Sequence, residues 1–574
     1  MLNTIGKGVK CLRENGVSYT VGRVSRYLKN RELDKKLPQD VFLTDEMRKA
    51  EESTEFPRRV TFSILTPLYN TDLTFLNEMI VSVQKQTYPH WELCLCDGSD
   101  DAHPEVGECC RRLAEQDSRI RYRRLEKNQG ISANTNACIA MAGGDYFGLL
   151  DHDDCLHPSA LYQAMKAICE EEADLIYTDE AKFTDDPLHC FSPNFKPDFA
   201  KDDLRAHNYI CHFTVYSREL LDAVGHYRSE CDGSQDHDMV LRMSEKAKKI
   251  AHIPQILYFW RVHKGSVSAG VETKSYAITA GHRAVADQLE RCGERGEVDS
   301  IPPYPSLYKV EHPIEGEPMV SVIVYGITRA EDLERCVRSL EEKSRYYPME
   351  VCLVEGAMEK KTFAKQLKKL PTVKPILVVT REEQRSRPLT AAVEKCRGAY
   401  LAFLNASAML EERDWVQEML MYAQRQDVGA VGAKLYDGNW GVYSAGIGLD
   451  ARSPVLLRHF FRGEHWGSHG FEAGLCHVRN VTAVDGACLM VSREKLSAAG
   501  GLDESMGSYA FVDLCLRLRE MGLLNVCTPF SVARLWVVEE YPSEERARFA
   551  ERWKERLSRQ DPYYNPNVQK YMIF

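Results

Sequence analysis

Short apolar runs alternate with amphipathic stretches along most of the chain, the pattern of strands feeding helices. "FSILTPLYN" (62–70) and "VSVIVYGIT" (320–328) are β-rich runs. Each is followed by a stretch with helical spacing, "FLNEMIVSVQKQ" and "DLERCVRSLEEK", and then by a second run, "WELCLCDGSD" (91–100) and "MEVCLVEGAM" (349–358). Further on, "GGDYFGLLDHDD" (143–154) answers "RGAYLAFLNASA" (397–408), and "QDHDMVLRM" (235–243) answers "AFVDLCLRL" (510–518). Strand, helix, strand in this order predicts βαβ units and an α/β fold with mostly parallel mixed sheets, present in two tandem copies. The expected organisation is an N-terminal helical segment at 1–55, a first domain at 56–299, a second at 319–574, and between them a proline-rich linker without periodicity at 300–318.

At 574 residues the chain is too long for one ordinary core, which agrees with two domains. With 28% charged and 44% hydrophobic residues it is globular rather than disordered. A net charge of -10 argues against a nucleic-acid partner, which calls for a concentrated basic surface. The 19 cysteines form no paired C-x-x-C sets and read as buried free thiols in a reducing compartment. No apolar run reaches the ~18 residues of a membrane span, and no leader pattern opens the sequence, so the expectation is a cytoplasmic protein. The first 37 residues stand apart, with nine Lys or Arg against three acidic residues. Leu2, Ile5, Val9 and Leu12 fall on one helical face, although Gly6, Gly8 and Gly16 weaken the helix. Such a segment either lies peripherally on the anionic inner face of the cell membrane or packs on the protein's own flank.

Candidate chemistry gathers where the strands end. In parallel sheets ligands bind beyond the carboxyl ends of the strands. Thr66, Tyr69 and Asn70 follow the first run, Asp97 the second, and Asp151, Asp153 and Asp154 the run "YFGLL". Like charges this close repel. Either the turn is simply solvated, or a divalent cation such as Mn²⁺ or Mg²⁺ neutralises it while carrying a phosphorylated ligand. The convergence of three strand ends favours the cation.

Residues 60–270 resemble an inverting glycosyltransferase of family 2 with the GT-A fold. The resemblance is carried, in order, by "SILTPLYN", "QTYPHWELCLCDGSDD", "NQGISANTNACIAMAGGDYFGLLDHDD", "DLIYTDEAKF", "FKPDFAKDDLRAHNYI", "GSQDHDMVLRM" and "LYFWRVHKGSVS". The tandem arrangement is most similar to members that build bacterial surface polysaccharides. The resemblance implies that Thr66, Pro67, Tyr69 and Asp97 hold the nucleotide of a nucleotide-diphospho-sugar donor, with Asp97 reaching the base. Asn128, Gly130 and Asn136 would line the same pocket. Asp151 would sit near the ribose or the metal, Asp153 would ligate the metal, and His263 would close over the diphosphate and join the metal's ligands. Asp236 would be the general base acting on a glycan or lipid-linked glycan acceptor. Two departures from the family's pattern are Gln235 before the base and Cys96 before Asp97. Asp238 reads as a salt-bridge partner, His152 as the outward residue of the turn, and Trp91 and Trp260 as core.

Aligning the two copies places Asn405 and Ser407 on Asp151 and Asp153, Glu355 on Asp97, and Phe511 on Asp236, while Asp238 and Arg242 persist as Asp513 and Arg517. The apolar frame survives and the chemistry does not, so the second copy reads as a GT-A-like domain without transferase activity, with Asp485 and His459 as remaining polar contacts. Two rival classes are a non-catalytic glycan-binding scaffold and a nucleotidyltransferase. The intact Asp97, Asp153, Asp236 and His263 speak against the first. The absence of a glycine-rich loop in "TPLYNTDL" speaks against the second.

Overall fold

A computed structural model describes residues 34–35, 37, 41–263, 275–370, 375–384, 386–536 and 540–570. The amphipathic N-terminal stretch at 1–33, and the residues after His263 in "WRVHKGSVS", lie outside the described residues.

In the first half, β1 (Phe62–Leu68), β2 (Trp91–Asp97), β3 (Ile120–Arg124), β4 (Tyr146–Leu149), β5 (Cys155–Leu156), β6 (Leu175–Phe183), β7 (Phe191–Asn194), β8 (Thr214–Ser217) and β9 (Ile250–Arg261) build one mixed sheet. Its order is β3-β2-β1-β4-β8-β6-β9-β5, with β7 paired to β6. The first four strands are parallel, β8 is inserted antiparallel between β4 and β6, and β6 and β9 are again parallel. Every residue of β1 and β2 is buried, as expected of strands covered on both faces. The helix Leu73–Gln84 starts at Asp72, whose carboxylate accepts from the Thr74 amide at 2.8 Å, and it buries Leu76, Met79, Ile80 and Val83 on one face.

The second half repeats this plan in eight of the nine strands. Val320–Tyr325 stands for β1, Met349–Val354 for β2, Ile376–Val379 for β3, Tyr400–Asn405 for β4, Ala408–Leu410 for β5, Val428–Asp437 for β6, Cys488–Ser492 for β8 and Leu524–Leu535 for β9. Read through these equivalences, the sheet order is the same. The polar scaffolding is repeated too. Ser63 Oγ donates to Glu92 Oε1 at 2.6 Å and accepts from the Gly144 amide at 2.9 Å; Ser321 Oγ donates to Glu350 Oε1 at 2.7 Å and accepts from the Gly398 amide at 2.8 Å. Both glycines are required by close approach, since a Cβ would fall 2.6 Å from Ser63 Oγ or 2.5 Å from Ser321 Oγ. Two copies keeping the same buried bonds confirm the tandem α/β architecture at the level of single atoms.

The stretch at 300–318 is not an irregular linker throughout. Glu297–Ile301 and Tyr304–Glu311 pair as an antiparallel hairpin that buries Leu307, Tyr308 and Val310. The prolines masked this in the sequence, yet they sit at the turn and the edges, where a missing N–H costs little.

The two halves share one core. A single apolar cluster runs from Tyr177, Phe195, Leu204 and Tyr209 of the first half to Phe460, Phe461, Leu475 and Tyr563 of the second. Across this seam the helix Lys201–Ala206 is buried despite its charge. Asp202 accepts from Arg425 Nη1 at 2.5 Å and Asn480 Nδ2 at 2.7 Å, and Asp203 accepts from the Asn480 amide at 2.7 Å. Asp179, fully buried, accepts from Asn565 Nδ2 at 3.0 Å and from His252 Nε2 at 2.9 Å. Buried carboxylates need such partners, so the seam is a specified interface.

Candidate active site

β4 ends at Leu149, and the acidic turn follows on the side where β1 and β2 also end. The three carboxylates of this turn have different fates. Asp154 points inward and is buried; it accepts from Tyr258 Oη at 2.5 Å and from the Arg261 amide at 2.7 Å. Burial and the neighbouring Asp151 and Asp153 raise its pKa far above the carboxylate range. Arg261 locks the turn from below. Its Nε donates to the Asp153 carbonyl at 2.5 Å, its Nη2 donates to Glu78 at 2.6 Å, and its guanidinium lies between the rings of Phe75 and Phe183. Asp153 faces His263, with 2.9 Å between Oδ2 and Nε2. Asp151 is 42% exposed at the side chain, with His212 Nε2 at 3.8 Å. Burial in the cleft nonetheless raises the Asp151 pKa, and Asp153 adds to the shift.

Whether these residues suit a divalent cation can be tested on their spacing. Among the described residues no group of three or more His, Cys, Asp or Glu converges as a complete cage. The 2.9 Å between Asp153 Oδ2 and His263 Nε2 does match adjacent ligands of an octahedral ion, which lie ~3 Å apart for bonds of ~2.1 Å. These two atoms share a hydrogen bond in this structure and would offer a divalent ion one oxygen and one nitrogen ligand, with phosphate oxygens completing its shell.

Asp236 opens the helix Gln235–Lys246. Its Oδ2 accepts from Gln235 Nε2 at 3.0 Å, while Oδ1 is shielded from solvent and has no hydrogen-bond partner. Burial, reinforced by the Asp151 carboxylate, pushes the Asp236 pKa up to about 6. Gln235, a departure from the family's pattern, thus orients the carboxylate and leaves one oxygen for a proton. Asp238, two residues on, is buried between Arg228 and Arg242, as the sequence suggested.

The other candidate residues lie around the ends of the first strands. Asp97 is fully buried, with Oδ1 on the Ser99 amide at 2.9 Å and Oδ2 on Tyr122 Oη at 3.0 Å and Arg124 Nη1 at 2.7 Å. Burial opposes its charge, but the bonds from Ser99, Arg124 and Tyr122 outweigh it and hold the pKa low. These bonds fix the Asp97 carboxylate at the end of β2. Asn136 bonds the Tyr227 backbone through both ends of its amide, at 2.8 and 3.0 Å, and is a strut. Asn128 Oδ1 accepts from the Gly130 amide and from Asn134, which shapes its loop. Gly130 has φ +94° and passes so close to Asp232 that a Cβ would lie 2.4 Å from its Oδ2. Thr66 is buried with its Oγ1 unpartnered, Pro67 lies in β1, and Tyr69 is 46% exposed above them. His152 is half-buried, with its Nδ1 shielded from solvent. Trp91 is core, whereas Trp260 is half-buried beside His212, with ring centroids 5.7 Å apart.

Sequence reasoning missed His212. Its ring stacks on Tyr258 with centroids 4.6 Å apart, between Asp151 and Glu180, whose Oε2 lies 3.3 Å from Nδ1. Lys196, fully buried, holds Glu180 at 3.0 Å and the Ile210 carbonyl at 2.7 Å. Burial opposes the Glu180 charge, but Lys196 and His212 bring its pKa down to about 2. The only signal was positional: β8 runs antiparallel beside β4, so the residue before it must sit near the turn after β4.

In the second half the places of Asp151, Asp153 and Asp236 are apolar or neutral, while Glu355 keeps an acid at the place of Asp97. Phe511 is buried against Tyr325 and Phe403, with ring centroids 5.5 and 5.1 Å away. Ile327, aligned with the exposed Tyr69, is fully buried. Asn405 and Ser407 bond each other at 2.8 Å. Asp513 keeps the role of Asp238, accepting from Arg517 at 2.9 Å. His459 and Asp485 are buried, with 3.5 Å between Nδ1 and Oδ2.

Comparison with known proteins shows the family. The chain is 37% identical over 528 residues to the protein y4gI of Sinorhizobium fredii, covering 88% of this chain and 57% of that protein. It is 35% identical over 537 residues to the O-antigen biosynthesis protein RfbC of Myxococcus xanthus, covering 89% of this chain and 40% of that protein. The chain thus spans about half the length of these relatives. A hyaluronan synthase of Pasteurella multocida is 26% identical over 232 residues, 40% of this chain and 23% of that enzyme. Among solved structures, S. aureus TarS 1-349 in complex with UDP-GlcNAc matches at 18% identity and a TM-score of 0.33, over 40% of this chain and 66% of that one. The profile of Glycosyl transferase family 2 matches residues 63–225 and again 321–496, together more than half of the chain. With the family profile matched once in each half, the chain belongs to glycosyl transferase family 2.

Proposed function

We propose that the first half transfers a sugar from a nucleotide-diphospho-sugar donor to a growing surface glycan, with inversion and with a divalent cation. The observation that carries the reading is the unpartnered Oδ1 of Asp236, in the field of Asp151 and with a pKa of about 6. A base of that strength is largely ionised near neutral pH and needs only modest driving force to take a hydroxyl proton. In this reading the Asp236 carboxylate, which Gln235 holds in place, takes the proton of the acceptor hydroxyl. Thr66, Pro67, Tyr69, Asn128 and Gly130 shape the donor's nucleotide site, with Asp97 and Asn136 bracing it. Asp153 and His263 would hold the cation, with Asp151 beside them. A bound cation supplies a Lewis acid that offsets the charge developing on the leaving diphosphate. Attack from the face opposite the leaving group inverts the anomeric carbon without a covalent enzyme intermediate.

The names of the relatives, O-antigen biosynthesis and hyaluronan synthesis, support a surface polysaccharide as the product class. No helix among the described residues is long and apolar enough to cross a membrane; contact with a membrane surface would fall to the basic segment at 1–33. The second half supports the catalytic half without chemistry of its own, because Phe511 and Ile327 fill the places of Asp236 and Tyr69.

A donor screen tests this. Full-length protein with manganese and a panel of nucleotide sugars should release nucleoside diphosphate together with an extended glycan. Pyrophosphate would instead mark a nucleotidyltransferase, and no turnover of any donor would mark a scaffold.

A further inference from the structure

The second half carries an arginine-rich cleft that the transferase reading leaves unused. It measures about 400 Å³ and is lined by Arg517 and Glu520 of the helix Ala510–Glu520 and by Arg552, Arg556 and Arg559. The last three lie on and just after the helices Ser543–Arg552 and Lys554–Leu557. Small-molecule sites have volumes of ~300–1,000 Å³, so the cleft has room for a ligand. Its back wall is fixed. Asp513, fully buried, accepts from Trp553 Nε1 at 3.0 Å and from Arg517 Nε at 2.9 Å, and lies 3.2 Å from Arg552 Nε. Asp503 accepts from Arg552 Nη1 at 2.7 Å. These two carboxylates hold one edge of their arginines from behind and do not line the cleft.

Guanidinium donors are left over toward the opening. Arg556 is half-buried, and among the described residues it has no ion pair. Arg559 is 68% exposed at the side chain, with the exposed Glu555 3.9 Å away. Arg517 Nη2, shielded at the back, has no hydrogen-bond partner and adds to the positive field. The first copy shows the same place closed. There Glu245, three residues after Arg242 as Glu520 is after Arg517, is clamped by Arg291 through bonds of 2.8 to 3.1 Å. In the second copy Glu520 is exposed and has no ion pair among the described residues. The place that one copy neutralises is open and richer in arginine in the other.

We infer that this cleft binds a phosphate group, held by Arg556 and Arg559 with Arg552 at the rim, while Glu520 opposes it from the facing wall. Guanidinium forks give charge-assisted, paired N–H bonds to phosphate oxygens. A tetrahedral phosphate presents oxygens in several directions and so can serve arginines that arrive from more than one element. A planar carboxylate cannot. The phosphate can be carried by a soluble compound or by the headgroup of an anionic lipid, and the chemistry of the site is the same for both. The inference stands apart from the transferase reading, since none of these residues belongs to the catalytic half.

Two binding measurements on the full-length protein test it. The first is calorimetric titration with inorganic pyrophosphate in excess EDTA, so that no divalent ion draws the probe to the acidic turn. The second is flotation with phosphatidylglycerol vesicles, against phosphatidylcholine vesicles. Wild type should respond in at least one arm, more weakly as salt rises. Combined Arg556→Gln and Arg559→Gln should weaken that response about tenfold or more. Glu520→Gln removes a like charge from the facing wall and should strengthen it severalfold. All variants should keep the wild-type melting temperature, because these side chains are at least partly exposed and make no close ion pair. A response to pyrophosphate that needs the two arginines supports the site with a soluble ligand; a vesicle response that needs them supports it with a lipid headgroup. No response in either arm, a response that survives the double substitution, or weaker binding in Glu520→Gln overturns it.

Discussion

Asp236→Asn is expected to lose ~10²–10⁴ of transfer rate, the contribution of a positioned base, while donor binding stays at the wild-type level. Asparagine keeps the shape and the bond from Gln235 but cannot take a proton. The same substitution should stabilise the fold at neutral pH. The Asp236 pKa is raised from 3.8 to about 6, mainly by burial. A raised carboxylate pKa means that the native state binds the proton more tightly than the unfolded chain. Its contribution is therefore full below about pH 4 and is lost as pH rises through about 6. After allowance for partial solvation, the ionised group costs on the order of 1–2 kcal/mol at pH 7. Asp236→Asn removes that cost, so its denaturant midpoint should exceed wild type at pH 7.5 and converge on it at pH 4. The ascending limb of wild-type kcat/KM should fall near pH 6. An active Asp236→Asn, or one destabilised at pH 7.5, would show that residue 236 is structural.

Separating the halves is expected to have the second large effect. A chain ended at residue 318 should aggregate or remain unfolded, and so should residues 319–574 alone; expressed together they should re-form a soluble complex. The reason is the shared core. Without the second half, Phe195, Leu204 and Tyr209 lose their covering neighbours, and a large apolar patch faces water. Within the full chain, Arg425→Ala tests the same seam more gently. Arg425 is 7% exposed at its side chain and bonds Asp202 at 2.5 Å. Removing one partner of a buried pair costs ~3–5 kcal/mol, a large share of the stability of an ordinary domain. Chemical denaturation reads both effects. A monomeric, cooperatively folding fragment of residues 1–318 would contradict the account of the seam.

The sequence disclosed the architecture because strands covered on both faces leave an unbroken apolar signature, and here that signature occurs twice. The repeat alignment also carried the fate of a single residue: Phe511, aligned with Asp236, is buried. Three things were not legible. The hairpin at Glu297–Glu311 was hidden by prolines at its turn and edges. His212, Glu180 and Lys196 come together only because β8 is inserted antiparallel between β4 and β6, a long-range pairing with no local pattern. The helix "KDDLRA" gave no sign of burial, since its charges are matched by Arg425, Asn480 and Glu294, far away along the chain. The bonds of Asp97 to Tyr122 and Arg124, and of Asn136 to the Tyr227 backbone, also had no local pattern, since their partners lie far along the chain.

The central claim is that Asp153 and His263 hold the cation against which the diphosphate departs. Its most direct test is nucleoside diphosphate release from the best donor across a manganese titration, for wild type and Asp153→Ala. The account predicts a saturable manganese requirement in wild type, abolished by chelator, and a loss of at least about a hundredfold in Asp153→Ala without a change in melting behaviour. Release that is indifferent to manganese and to the substitution would contradict it.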